Sequence, residues 1–171
     1  MSKNISAFGV GAYLGASNTL PIGMFIQAFA DDDDAIKFST SNVSGAQMDL
    51  NGKMVSWSSA HPISLSIAVI PHSTADNLLS VLLAANRPAA FTTEANDVIT
   101  LVVKYPDFTI RTFTDGRVIS GPSGAGFQSV GRLTTNSYSF SFGDMTTINV
   151  ATAINSLFRD TGISSVIPKI F

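Results

Sequence analysis

Apolar and polar residues alternate along several stretches of this chain. Pro62 to Ile70 reads PISLSIAVI, which puts Ile63, Leu65, Ile67 and Val69 on one side and Ser64, Ser66 and Ala68 on the other. A period of two marks a strand with one buried face. NSYSFSFGD follows the same rule, with Tyr138, Phe140 and Phe142 opposed to Ser139 and Ser141. In AQMDLNGKMVSWSS, Met48 and Leu50 precede Asn51-Gly52 and Met54 follows it. Asn-Gly supplies the positive φ of a tight turn, so a hairpin is predicted there, with a bulge as the alternative. Asp115-Gly116 gives a second turn signal, between the arms FTIRTF and RVISG. Asp97 to Tyr105 is more continuously apolar, as for a strand covered on both faces.

Two segments carry helical spacing. After Pro71-His72, Ser73 is placed to cap a helix and Asp76 falls at its third position, near the positive end of the helix dipole. Ala75, Leu78, Leu79, Leu82 and Leu83 then form one stripe, and Pro88 stops the run. A second helix is predicted over about Thr147 to Asp160, where Val150, Ala153, Ile154, Leu157 and Phe158 repeat the spacing and Gly162 terminates it. Loops are expected near 87–96 and over the Gly-rich 120–131. No unit of 20–50 residues repeats. These signals predict a mainly β fold: a β-sandwich or barrel of about six to eight antiparallel strands with one or two flanking α-helices. The 171 residues read as a single domain, with 1–20 as an N-terminal arm or strand and 163–171 as an apolar C-terminal tail.

Charge changes the picture more than hydrophobicity does. Only 13% of residues are charged, about half of the roughly 25% usual in soluble domains. Hydroxyls, 22 Ser and 15 Thr, supply the polarity instead. Such flanks are inexpensive to desolvate and suit extended contact with neighbours. A net charge of −2 offers no basic field for nucleic acid phosphates, and the absence of cysteine removes disulfides, zinc thiolates and thiol nucleophiles. No apolar run reaches the ~20 residues that span a bilayer. Residues 1–16 have an apolar centre broken by Ser, Asn and Gly, unlike a secretory leader, so a soluble protein made in the cytoplasm is expected.

Against this background the run Asp31-Asp32-Asp33-Asp34 stands out, holding a third of the twelve acidic residues. An EF-hand starting at Asp31 needs Gly and Glu where Ile36 and Asn42 stand. In an extended chain neighbouring carboxylates point to opposite sides, and a solvated loop provides no desolvation to part their pKa values. A solvated acidic turn or an electrostatic patch is therefore expected, with no metal site. Gly121, Gly124 and Gly126 lack the Lys-Ser/Thr of a phosphate loop. His61 and His72 lie roughly 30 Å apart at the two ends of one extended strand, too far to share a metal. Ser73 reads as a cap and not a nucleophile. Neither a cofactor nor an enzyme activity is expected.

The order of elements resembles the tail tube proteins of long-tailed bacteriophages, especially the inner tube of contractile tails. The Asn51-Gly52 hairpin, the strand Pro62–Ile70, the PHSTADN cap, the helix LLSVLLAANR and the closing VGRLTTNSYSFSFGD carry the likeness, over about residues 20–145. The resemblance implies a structural virion protein assembled in the host cytoplasm. Six copies would form a ring around a channel, and rings would stack into a tube that conducts DNA during ejection. Its partners would be itself and the sheath, baseplate and tape-measure proteins, with DNA passing without adhesion and no membrane insertion by this chain. Gly121, Gly124, Gly126, Ile167 and Phe171 would belong to arms that order on stacking. Asp31–Asp34 would face the lumen, the sheath or the next ring. A terminator or baseplate part, or a secreted carbohydrate- or calcium-binding β-sandwich, is the alternative.

Overall fold

The computed structural model describes residues 9–31, 34–90, 93–124, 126, 131, 133–150 and 152–153. Among them run nine strands and one helix: β1 Gly11–Ala16, β2 Leu20–Ile26, β3 Ile36–Phe38, β4 Ser44–Met48, β5 Met54–Ser58, β6 Ile63–Val69, α1 Thr74–Ala85, β7 Ile99–Lys104, β8 Thr109–Ser120 and β9 Asn136–Asn149. Seven strands form one antiparallel sheet in the order β2-β1-β7-β8-β9-β6-β3, and β4-β5 stand apart as a two-stranded sheet. The mainly β class expected from the sequence holds, as an open sheet that does not close into a barrel.

The sheet curls strongly. In the strand order β3 lies three steps from β8, roughly 14 Å along a flat sheet. Yet the rings of Phe38 and Phe113 stack at 5.6 Å. The alternation explains what fills the concave side. Ala12, Leu14 and Ala16 lie opposite Val103, Leu101 and Ile99, while Leu65 and Ile67 lie opposite Phe140 and Tyr138. All of these are buried, and Phe113 and Phe142 join them with ring centroids 5.5 Å apart. Ser64, Ser66, Ser139 and Ser141 pair across β6 and β9 on the convex side. Each apolar side chain of this size adds about 1.5–3 kcal/mol when fully buried, so register and hydrophobic pattern agree.

Helix α1 begins as the sequence predicts. Asp76 N–H donates to Ser73 Oγ at 3.1 Å, and Asp76 Oδ2 accepts from His72 N–H at 2.9 Å. The same buried carboxylate accepts from Asn136 Nδ2 at 2.9 Å and Tyr138 Oη at 2.8 Å, so the cap also fastens the helix to β9. Burial, then the hydrogen bond and charge of Asp76, push the Tyr138 phenol well above its ordinary value. The helix stops at Asn86, two residues before Pro88. Asn86 donates from both its backbone and its side chain to Leu82 C=O.

Two sequence expectations need correction. Asp115-Gly116 is not a hairpin turn but a bulge inside the continuous strand β8. A type I′ turn requires positive φ at both central residues, and only Asp115 has it, at 53°. Gly116 is required for another reason, since a Cβ there would sit 2.3 Å from the Phe142 ring. The inward face switches parity at this point, from Phe113 to Gly116. The second correction concerns the predicted helix at 147–160. Thr147 to Asn149 complete strand β9, paired to β8 through Asn149 opposite Thr109. Val150, Thr152 and Ala153 are helical, and residues 154–160 lie outside the described set. β-branched Thr146, Thr147 and Ile148 suit a strand, and their pairing with β8 outweighs the helical spacing.

Candidate assembly surface

Hairpin β4–β5 is built as Asn51-Gly52 foretells. Gly52 N–H donates to Asp49 C=O at 3.1 Å, Asp49 N–H to Lys53 C=O at 2.8 Å, and Gly52 takes φ 75°. Asp49 Oδ1 accepts from the N–H groups of Asn51 and Lys53, each at 2.8 Å. The sequence does not reveal that both faces of this hairpin are open. Met48 and Met54 pair on one face, and Val55 and Trp57 lie on the other. All four are at least half exposed, and Leu50 at the tip is wholly so. The Trp57 indole lies across Gly45, leaving no room for a Cβ, which fixes the ring in place. A two-stranded ribbon is marginal alone in water. One that is apolar on both sides is suited to insertion between other surfaces.

Among the described residues the main sheet has two unlike free edges. There β2 pairs with β1 alone and presents Ile22 and Phe25, both largely exposed. β3 is a three-residue edge that pairs, among the described residues, with β6 alone. A third stretch of edge arises because β6 covers β9 only from Asn136 to Phe142. Gly143 to Asn149 are therefore bonded on the β8 side alone among the described strands. Asp144 Oδ1 accepts from Met145 N–H at 2.8 Å, which blunts that edge.

The acidic run is an excursion from the chain that flanks β6. Ala30 N–H donates to Ala68 C=O and Ala68 N–H donates to Ala35 C=O, both at 3.0 Å. One β6 residue thus holds both Ala30 and Ala35, which flank the acidic run. Asp31 and Asp34 are exposed; Asp32 and Asp33 lie outside the described residues. Among the glycines, Gly121 packs where a Cβ would lie 2.7 Å from Tyr138 and 2.8 Å from Leu83. Gly126 C=O accepts from Thr134 N–H at 2.9 Å, and Gly124 faces open space. Ile167 and Phe171 fall outside the described residues. No group of three or more metal-ligating side chains occurs among the described residues.

Sequence reasoning passed over Asp97, which is only 1% exposed. Its carboxylate accepts from Asn18 N–H at 2.6 Å, Thr19 N–H at 2.9 Å, the Thr19 hydroxyl and Asn86 Nδ2 at 2.8 Å. Burial pushes its pKa up, but the Thr19, Asn86 and Asn18 hydrogen bonds together outweigh that and hold it below the ordinary carboxylate value. One side chain thus ties the β1–β2 turn to the end of α1 and the start of β7, and positions edge β2. Its only signal in the sequence was a lone acid before an apolar strand.

Phe108 was also missed. The β7–β8 turn repeats the geometry of the Asn-Gly hairpin: Phe108 N–H donates to Tyr105 C=O at 3.2 Å and Tyr105 N–H to Thr109 C=O at 2.9 Å. The place taken by Gly52 in the first turn is here filled by a half-exposed Phe at φ 61°. A bulky residue in the left-handed region costs about 1–2 kcal/mol. Phe108→Gly is therefore expected to raise stability by about 0.5–1 kcal/mol, after the entropic cost of glycine. Urea unfolding of the two proteins checks it; a loss of stability would show that the ring's contacts outweigh its strain.

Relatives bear on what these surfaces serve. The sequence pattern of the tail fiber protein gp32 family matches residues 3–146. The chain belongs to that family. It is a tail-associated structural protein, which meets the sequence expectation at that coarser level; the family name does not specify the tail tube. No curated protein sequence matches the chain. Among solved structures, a chain from the cryo-EM structure of the anti-feeding prophage baseplate, six-fold symmetrised, superposes with a TM-score of 0.57 at 14% identity, covering 88% of this chain and 99% of that one. A chain from the sheath/tube terminator of the PVC extracellular contractile injection system, in its extended state, gives 0.52 at 12% identity, covering 86% and 99%. At such identities the shared feature is the fold.

Proposed function

We propose that this tail protein is a ring-forming subunit of a contractile tail, whose rings stack into the tube that conducts DNA. The observation that carries the reading is the open sheet with two different free edges, β2 and β3. Unlike edges cannot form a two-fold pair with each other; they join head to tail, and a head-to-tail contact closes into a ring when the rotation allows. Joined in this way, the sheets of several copies form one continuous wall, and edges that invite aggregation in a monomer become joints. The likeness to a chain of a six-fold symmetrised baseplate supports six copies. The β4–β5 hairpin, apolar on both sides, then bridges to a neighbouring subunit or ring. Sheath, baseplate and tape-measure proteins are the partners of such a tube.

Asp31–Asp34 fit an assembly role better than a catalytic one. Four adjacent carboxylates, two of them described and exposed, suit a contact that sets register with a basic neighbour, since complementary charge gives specificity more than raw affinity. In the lumen the same loop would repel phosphates and keep DNA from adhering.

A second reading is specifically favoured by the baseplate and terminator likenesses: a ring that stands once, at an end of the tube. Negative-stain microscopy of the concentrated purified protein separates the cases. Long tubes of stacked rings are the expected result. Single rings that never stack would assign the protein to a tube end, and a monodisperse monomer at high concentration would overturn ring formation altogether.

A further inference from the structure

Strand β9 is 14 residues long, but β6 covers only its first half, Asn136 to Phe142. The remaining step, Gly143 to Asn149, is bonded on the β8 side alone among the described residues. We infer that strand β4 of a second copy of this chain adds to that step antiparallel to β9, with Met48 opposite Met145, Ala46 opposite Thr147 and Ser44 opposite Asn149. The inference rests on the assembly reading above and names the seat of its hairpin.

Backbone and side chains agree on this pairing. Antiparallel partners alternate between bonded and unbonded pairs, and the unbonded ones turn their N–H and C=O groups outward. In the hairpin, Ser59 N–H donates to Val43 C=O and Asp49 N–H to Lys53 C=O, so Ser44, Ala46 and Met48 point away from β5. On β9, Val150 N–H donates to Phe108 C=O, so Met145, Thr147 and Asn149 point away from β8. The apolar residues also fall on matching faces. Met145 lies opposite Phe113 on the concave side, and Met48 with its cross-strand neighbour Met54 extends that row. On the convex side Gly45 comes opposite Ile148, which brings the Trp57 indole lying across Gly45 against Ile148. Met48, Met54, Trp57, Met145 and Ile148 are each at least 40% exposed in the single subunit and are covered together by this contact. Asp144 closes the edge of the lone subunit by accepting from Met145 N–H at 2.8 Å, and releases it when β4 arrives. It then lies beside Asp49, whose cross-strand neighbour Lys53 supplies the countercharge.

The subunit's own hairpin cannot take this seat. Its tip would have to point toward Phe142, which places Ser44 and its partner Ser58 near Asn149. Seven residues of strand, roughly 23 Å, then separate Ser58 from Ile63, the partner of Phe142. The five residues from Ser58 to Ile63 span at most about 18 Å. The occupant is therefore another copy.

The chain has no cysteine, so introduced pairs report directly. Directly opposed residues of a bonded antiparallel pair lie about 5.5 Å apart, within disulfide reach. Ala46 and Thr147 are both exposed, so replacing them leaves the packing of the subunit intact. The full chain carrying Ala46→Cys and Thr147→Cys, concentrated until it sediments and then oxidised, is expected to give a ladder of covalently linked copies on non-reducing gels. Each copy is bridged through its hairpin to one neighbour and through its step to another, whereas either single substitution stays monomeric. Met48→Cys with Met145→Cys is expected to give the same ladder, and replaces the first pair if circular dichroism shows that one unfolded. Sedimenting assemblies with no ladder from either pair would overturn this seat and leave the ring reading standing. A ladder from Ser56→Cys with Thr147→Cys alone would give the step to β5, and a faster-running, internally bridged monomer would give it to the subunit's own hairpin; each overturns the inference. Failure of the native protein to sediment at any concentration overturns the ring reading and this inference together.

Discussion

Asp97→Ala is expected to destabilise the protein by about 3–4 kcal/mol, lowering the melting temperature by roughly 8–12 °C. The substitution leaves the part-buried Thr19 N–H and hydroxyl, Asn18 N–H and Asn86 amide without the acceptor that the buried Asp97 supplies. Each stranded donor costs about 1–3 kcal/mol, partly relieved by relaxation. Against a total stability of about 5–15 kcal/mol that is a large share. The pH dependence follows from the direction of the shift. The folded-state pKa of Asp97 is depressed, so its contribution is fully present above the unfolded value near pH 4 and is lost as pH falls through the lower folded value. Urea unfolding of the native protein and Asp97→Asn between pH 6 and 2.5 should therefore converge at the acid end. A constant difference across that range would show that the carboxylate's charge is not what holds the three segments together.

The other large effect falls on assembly and leaves the fold alone. Leu50→Asp combined with Trp57→Ser is expected to abolish higher-order assembly, with the monomer's stability changed by no more than about 0.5 kcal/mol. Both side chains lie on the exposed hairpin, Leu50 fully and Trp57 by half, so little native packing is lost. Buried in a subunit contact, a central aromatic commonly accounts for 2 kcal/mol or more. A repeated contact multiplies that loss around a ring. Sedimentation of the variant beside the native protein, with thermal melts of both, separates the two effects. Normal tubes from the variant would remove the hairpin from the contact; a collapsed melting temperature would show that it supports the subunit instead.

The candidate surface was legible in the sequence only in part. Met48, Leu50 and Met54 were visible as an alternating hairpin, but alternation says that one face is apolar and not whether a core lies against it. The pattern of a buried strand and that of a strand awaiting a partner are the same, so the exposure of β4 and β5 required the tertiary structure. The acidic run was conspicuous, yet the holding of Ala30 and Ala35 on either side of it by Ala68 depends on a strand more than thirty residues away. Asp97 illustrates the opposite limit. Its partners Asn18 and Thr19 come from the other end of the chain, and no local spacing links them.

What the sequence determined by itself was local. The period of two laid out the inward faces of β6 and β9, Ser73 and Asp76 started α1, and Asn51-Gly52 made a turn, because steric limits on φ and ψ and the burial of one face act within a few residues. The tertiary structure decided where local signals conflict or are silent. Asp115-Gly116 became a bulge because Phe142 occupies the space a side chain at 116 would need, and Thr147–Asn149 became strand because β8 offered a ladder. The curl that brings Phe38 onto Phe113, and the unlike edges it leaves free, follow from the order in which distant strands pair. No segment specifies that order alone, because each strand's inward face is buried only by strands distant in sequence.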